Sequence, residues 1–186
     1  MKTRPLLQCV NYNKNGSFYA TDSHVLVKVA DFHEHSTEFN LNLSTMEVNE
    51  NFYPDWERLV TFKDITTEIA VDIDLLTKAL KTFNDKSLLN NVIDMDIKDK
   101  IMSLTSQSLP DFKIEIPLHD CEGEIKIAFQ TDYLINGLAF IKDEKVIKRD
   151  LTNKFTLIQF QSIIKPFKLV AEDKYEYLIT PVRNFN

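Results

Sequence analysis

Residues 69–80 and 127–138 carry one pattern twice, 58 positions apart: Ile69 falls on Ile127, Ala70 on Ala128, Asp74 on Asp132, Leu76 on Leu134 and Leu80 on Leu138. Each copy reads as a short strand running into a helix. In the first copy Glu68–Val71 is the strand. Leu75, Leu76, Ala79, Leu80 and Phe83 then mark one face of a helix over 74–83, with Asp72 or Asp74 as its cap and Asn84-Asp85 as its end. In the second copy Glu124–Phe129 is the strand, Thr131-Asp132 offers the cap, and Tyr133, Leu134, Leu138, Ala139 and Ile141 line a helix over 131–142. Three strands follow each helix. After the first come 92–97 (Ile93, Met95 and Ile97 inward), 101–106 and 112–118 (Phe112, Ile114 and Ile116 inward). After the second come 146–151, 155–160 and 175–182. A strand–helix–three-strand unit used twice predicts an α+β fold, in which antiparallel sheets carry two helices on one face.

The residues ahead of this unit have a different character. Asn11–Ser17 is a turn cluster holding Asn15-Gly16, the strongest hairpin signal in the chain, so residues 4–29 read as a β-hairpin. Asn15-Gly16-Ser17 also matches a glycosylation sequon, but a turn accounts for it. Phe39, Leu41 and Leu43 alternate with asparagines as one more strand, and no helix is expected before residue 50. Between the two regions lies Phe52-Tyr53-Pro54-Asp55-Trp56-Glu57-Arg58-Leu59-Val60, with the only Trp in the chain. Proline fixes its own φ and pushes its predecessor into an extended conformation. This stretch therefore reads as a stiff, extended connector that packs on both sides. The division expected is a partial β-rich region over 1–50, a connector over 51–60 and a complete unit over 61–186.

Composition narrows the function classes. A hydrophobic fraction of 44%, with 13 Phe and 6 Tyr, belongs to a folded globule. Three Gly are too few for phosphate-cradling loops or a dinucleotide fingerprint, and a net charge of −6 gives no overall basic footprint. Cys9 and Cys121 read as reduced core thiols. No apolar run reaches signal-peptide or membrane-span length, so a soluble, cytoplasmic protein is expected. Catalytic signals are weak. Asp22-Ser23-His24 on a strand would place Ser23 opposite the other two. Asp94 and Asp96 share a strand face and could hold a metal for a nuclease, but they read more simply as a solvated side. His33 and His35 around Glu34 lack a third ligand for zinc. No enzyme, metal or cofactor is expected.

Four short motifs then resemble one family in its order. Phe18-Tyr19-Ala20-Thr21-Asp22-Ser23-His24-Val25-Leu26 is similar to the Ala-Thr-Asp-Gly-His-Arg-Leu stretch of the bacterial sliding clamp, the β subunit of DNA polymerase III. Tyr53-Pro54-Asp55-Trp56-Glu57-Arg58 resembles its Phe-Pro-Asp-Tyr-x-Arg connector. Ile127-Ala128-Phe129 with Tyr133-Leu134 resembles its Ile-Gly-Phe-Asn-x-x-Tyr-Leu strand–helix start. Tyr177-Leu178-Ile179-Thr180-Pro181-Val182-Arg183 resembles its C-terminal Tyr-Val-x-Met-Pro-x-Arg.

The resemblance implies a DNA-clamp fold in shortened form, such as a phage or mobile element would carry. It covers a complete third domain over 61–186 and part of the middle domain over 1–50. It further implies a processivity factor in DNA replication that tethers DNA polymerase and other replication proteins. A homo-oligomer would then be needed to close a ring on double-stranded DNA. The alternative is a non-ring adaptor or decoy that captures clamp-binding motifs. The family's peptide pocket, which takes Gln-x-x-Leu-Phe-like motifs, maps onto Arg4, Leu7, Thr21, His24, Leu26, Pro54, Arg58, Leu59, Leu178, Thr180, Pro181, Val182 and Arg183. Val25 for the usual Arg, Ser23 for Gly and Thr180 for Met imply a smaller, less basic pocket. DNA contacts would fall to Lys78, Lys81 and Lys142 on the two helices.

Overall fold

Asp72 closes the first repeated strand and opens its helix: its Oδ1 accepts hydrogen bonds from the Asp74 and Leu75 amides at 2.9 Å each. That is the capping arrangement a short acidic side chain can make at a helix start. The computed structural model describes residues 5–49, 55–84, 91–106, 108–147 and 154–182. Its strands are β1 (Cys9–Tyr12), β2 (Phe18–Thr21), β3 (Val25–Val29), β4 (Phe39–Asn42) and β5 (Glu47–Asn49) before a one-turn helix α1 (Glu57–Val60). Then come β6 (Thr67–Asp72), α2 (Ile73–Phe83), β7 (Val92–Lys98), β8 (Ile101–Ser106), β9 (Leu109–Pro117) and β10 (Asp120–Glu122). The second unit is β11 (Ile125–Gln130), α3 (Thr131–Ile147), β12 (Phe155–Phe160), β13 (Phe167–Ala171) and β14 (Tyr175–Ile179).

The repeat is reciprocal in space. The opening strand of each unit joins the sheet of the other: β6 pairs with β12, and β11 pairs with β7. The four-stranded sheet runs β11-β7-β8-β9. The larger sheet has ten strands, in the order β10-β6-β12-β13-β14-β3-β2-β1-β4-β5, and all recorded pairings are antiparallel. The two helices pack on one another, α2 against β6 and β9 and α3 against β11, β13 and β14. One core joins them. It includes Leu76, Leu80 and Phe83 from α2, Leu134, Leu138 and Ile141 from α3, and Ile69, Met95, Phe129, Ile158 and Leu169 from both sheets. This is the α+β arrangement with two helices over antiparallel sheets.

Several expectations are corrected. Residues 4–29 are not one hairpin: Pro5–Gln8 is a 3-10 turn, and the strand breaks at Asp22–His24. The connector is not extended throughout, because Trp56 accepts the amides of Leu59 and Val60 and so closes a helical turn. Val146 and Ile147 end α3 rather than starting a strand; the remainder of that expected strand, 148–151, lies outside the described residues. The second of the three strands after α3 is β13, which sequence reading missed along with β5 and β10. Phe112 faces the helix side but stays 43% exposed, its ring tilted against that of Phe83 with centroids 5.5 Å apart. Ala139 is exposed; Ile135 and Phe140 pack on the core instead. Thr131 is buried at the start of α3, with its amide and Oγ1 both donating to the Asn91 carbonyl. Asp132 accepts from the Asn84 side chain at 2.6 Å.

Gly137 sets the distance between α3 and the large sheet. A Cβ there would lie 2.7 Å from Cδ1 of Tyr177 on β14, well inside contact distance. Gly→Ala inside a helix ordinarily gains about 1 kcal/mol, whereas overpacking costs about 1–3 kcal/mol. Gly137→Ala should therefore lower stability by roughly 1 kcal/mol in urea unfolding, and adding Tyr177→Leu should recover the helix-propensity gain.

Candidate peptide-binding site

The face of the ten-stranded sheet opposite the helices is set by the alternation of its strands. Val25, Val27 and Val29 of β3 pack on the main core, so Leu26 and Lys28 point the other way. In β14 Tyr175, Tyr177 and Ile179 belong to the main core, leaving Glu176 and Leu178 on the far face. The register places Leu26 against Leu178 and Lys28 against Glu176. Tyr19 and Thr21 of β2 stand opposite Lys28 and Leu26. A second apolar cluster forms on this face from Tyr19, Leu26, Val60 and Leu178, with Trp56 and Phe62 against it. The connector thus lies across the strands where the N-terminal and C-terminal portions join.

A cavity of about 140 Å³ opens beside this cluster, lined by Thr21, Ser23, His24, Val25, Leu26, Trp56, Leu59, Pro166, Leu178 and Thr180. Its rim is a tight turn. Asp22 Oδ1 accepts from the His24 and Val25 amides at 2.8 Å each, and Thr21 Oγ1 donates to the Val25 carbonyl at 2.6 Å. Ser23 takes φ +81°, a conformation that glycine adopts at little cost and other residues seldom do. The chain after β14 is tied to the same turn: the Thr180 amide and Oγ1 both donate to the His24 carbonyl, at 2.9 and 2.6 Å. The His24 ring stacks on Tyr133 of α3, with centroids 5.6 Å apart. Asp22-Ser23-His24 is therefore a turn, not the strand expected.

Six of the thirteen expected pocket residues line this cavity: Thr21, His24, Leu26, Leu59, Leu178 and Thr180. Leu7 is half-buried on the 3-10 turn and Arg58 is exposed on α1; neither belongs to the lining. Pro181 is buried and Val182 half-buried just beyond it, with the Val182 amide bound to the Ala128 carbonyl. Arg4, Pro54 and Arg183 lie outside the described residues. Sequence reading missed Ser23, Val25, Trp56 and Pro166 as lining residues. Trp56 could have been found, as the single Trp in the connector; Pro166 sits before a strand that was not read.

Beneath α1 runs a chain of charges. Lys168 Nζ on β13 meets Glu176 Oε2 at 2.5 Å, and Glu176 Oε1 meets Lys28 Nζ at 3.1 Å. These three side chains are only 11–14% exposed. The connector supplies the remaining partners. Glu57 Oε1 lies 3.5 Å from Lys28 Nζ, the Val60 carbonyl accepts from Lys168 at 3.0 Å, and the Phe62 ring faces Lys168 at 4.6 Å. Tyr19 also donates its hydroxyl proton to Glu57. Burial pushes the Lys28 pKa down, but Glu176 and the other acidic neighbours outweigh it and leave it raised. Burial and the bond to Glu57 raise Tyr19.

The helix face expected to meet DNA is nearly balanced in charge. Lys78 and Lys81 are exposed on α2, while Lys142 on α3 binds Asp74 Oδ1 at 2.6 Å and holds that carboxyl below its usual range. Among the described residues no three His, Cys, Asp or Glu side chains gather as a metal group. No helix there is long and apolar enough to cross a membrane.

No family model and no curated protein matches the sequence. Solved structures do. The DNA polymerase III beta chain of Streptococcus pneumoniae superposes with a TM-score of 0.76 at 23% identity, covering 99% of this chain and 59% of that one. The sliding clamp of Bacillus subtilis gives 0.75 at 21%, covering 100% and 59%. The beta subunit of Thermotoga maritima gives 0.75 at 18%, covering 96% and 58%. The chain has the sliding-clamp fold along its whole length, and it spans about 59% of the first of these relatives.

Tyr177, below the turn, has its pKa raised to about 12, by burial first and then by Asp22 and Tyr133. The folded chain holds this proton more tightly than the unfolded chain, whose tyrosines ionise near 10. Stability should hold below pH 10 and fall by about 2–3 kcal/mol as pH rises to 12. Tyr177→Phe should remove that part of the alkaline loss, as read in urea unfolding at stepped pH.

Proposed function

We propose that this chain acts as a sliding-clamp-like processivity factor in DNA replication, and that its cavity takes the short linear motifs of replication proteins. The observation that carries this reading is the cavity's position. Within a clamp fold, it sits where the β2–β3 turn, the connector helix and the end of β14 converge. In this reading 1–50 is part of a middle clamp domain, 51–60 the connector and 61–186 a complete third domain. The role is one of binding, without catalysis, and it places the protein in the cytoplasm with the replication machinery. Its partners are a DNA polymerase or other motif-bearing replication proteins, with duplex DNA inside a ring closed by further copies.

The chemistry suits an apolar anchor. Leu26, Leu178, Leu59, Val25, Trp56 and Pro166 form apolar walls, and Thr21, Ser23, His24 and Thr180 supply polar groups at one side. A leucine and an aromatic side chain buried there would each contribute about 1.5–3 kcal/mol before association costs. Val25 in place of the family's Arg removes a cation from the rim, and Thr180 in place of Met shortens a wall.

A second reading, a motif-capturing adaptor that does not encircle DNA, draws on a separate observation: Lys142, though exposed, is already paired with Asp74, and the other exposed lysines of the described helix face are Lys78 and Lys81. Two experiments separate the readings. A fluorescein-labelled Gln-Ser-Asp-Leu-Phe peptide should bind, and Leu59→Asp, at a half-exposed wall position, should weaken it at least about tenfold. No binding by the folded protein defeats both readings. A primer-extension assay with light scattering then decides between them. Longer products and an oligomer support the clamp; a peptide-binding monomer without effect on product length supports the adaptor.

A further inference from the structure

We propose that Lys28, Glu176 and Lys168 are positioning residues for the cavity: they seat α1 on the sheet and thereby place Trp56 and Leu59 in the cavity wall. This rests on the peptide-site reading above. The connector has little to hold it in its own sequence. α1 has four residues and no side-chain cap, and an isolated turn of that length does not persist in water. Its placement comes from what lies beneath it.

The sheet alone presents two cations and one anion. Lys28 and Lys168 share Glu176, and all three are largely withdrawn from water. One carboxylate cannot balance two buried ammonium groups, and an uncompensated buried charge is strongly disfavoured. Among the described residues, three groups from residues 57–62 reach these lysines: the Glu57 carboxylate beside Lys28, near the Tyr19 hydroxyl, and the Val60 carbonyl and Phe62 ring beside Lys168. With Glu57 in place, two acids meet two bases. Asn15 Nδ2 (3.3 Å) and the Tyr19 hydroxyl hold the other Glu57 oxygen from the N-terminal side. The connector therefore completes a charge set that the sheet leaves unfinished. Trp56 and Leu59 project from the same turn into the cavity lining. Strand register and apolar contact at Val60 bring the turn close; the charge pairing fixes its lateral position. Loss of the Glu57 charge should loosen the wall while the fold stays intact, because Glu57 is half-exposed and outside the main core.

The single Trp makes this measurable on the full chain without any ligand. Glu57→Gln should raise acrylamide quenching of Trp56 at least about twofold and shift its emission to the red. In a Lys28→Met background the same change should have no further effect, since the partner charge is already gone. The labelled Gln-Ser-Asp-Leu-Phe peptide should bind Glu57→Gln about three- to tenfold more weakly than the native chain. Unchanged Trp56 emission and quenching in Glu57→Gln overturns the proposal. So does equal peptide affinity for a variant whose Trp56 has loosened. If Trp56 loosens but the native chain binds no peptide, the peptide-site reading fails and the seating of α1 by these charges stands.

Discussion

The pairing of β3 with β14 is the contact on which the rest of the molecule depends. It joins segments separated by about 150 residues in five consecutive pairs, from Tyr175 against Val29 to Ile179 against Val25. A sheet has a side-chain period of two, so a slip of one residue would exchange its faces. Here that slip of β3 against β14 would drive Lys28 into the main core, away from Glu176, and turn Val25, Val27 and Val29 out under the connector. The Lys28–Glu176 pair thus does for register what a leucine pair could not. Apolar residues on both faces would accept either alignment, whereas a charged pair has a penalty on one side only. Replacing a buried ion pair by apolar side chains is often neutral or stabilising, so the value of this one lies in which alignment it permits.

From that register the cavity follows with little further specification. Leu26 and Leu178 stand side by side as its floor, and the turn after β2 and the residue after β14 are drawn together at the His24 carbonyl. The connector then covers the floor. Each wall comes from a different part of the chain, and none is a cavity by itself. The site belongs to the junction, and anything that parts β3 from β14 abolishes it even if both portions remain folded.

The same topology explains what could be read from the sequence and what could not. α2 was legible because Leu76, Ala79, Leu80 and Phe83 keep helical spacing behind an aspartate cap, and both signals are local. The β7–β8 hairpin was legible from strict alternation, although its turn uses Asp99 and Lys100 at positive φ without glycine. β13 was not, because its Phe-Lys-Leu-Val-Ala run is buried on nearly every residue, and Lys168 breaks the apolar run at a buried position where its partners, Glu176 and the Val60 carbonyl, are distant in sequence or on another strand. The end of α3 misled for the opposite reason: Val146 and Ile147 favour strands locally, yet they continue the helix. Of the site, the motif-bearing turn and C-terminal residues were readable through resemblance. The charges beneath α1 were not, since Lys28 and Glu176 alternate with apolar neighbours as any solvated strand face would.

The balance of charge on the helices bears on how a chain like this could keep hold of DNA. Phosphate contacts release counterions, and the slope of log affinity against log salt is about −0.9 per contact. Two lysines, Lys78 and Lys81, would give a slope near −2 and an affinity that falls roughly tenfold between 50 and 200 mM salt. Such a surface, on one copy, neither binds DNA tightly nor resists moving along it. Under the proposed function, retention would then have to come from closure around the duplex or from several copies acting together, rather than from the strength of any single contact. The Lys142–Asp74 pair fits that division of labour. It ties α3 to α2 and engages one more cation, so under the proposed function the helices would line the duplex while partner recognition would rest with the cavity on the opposite side of the sheet.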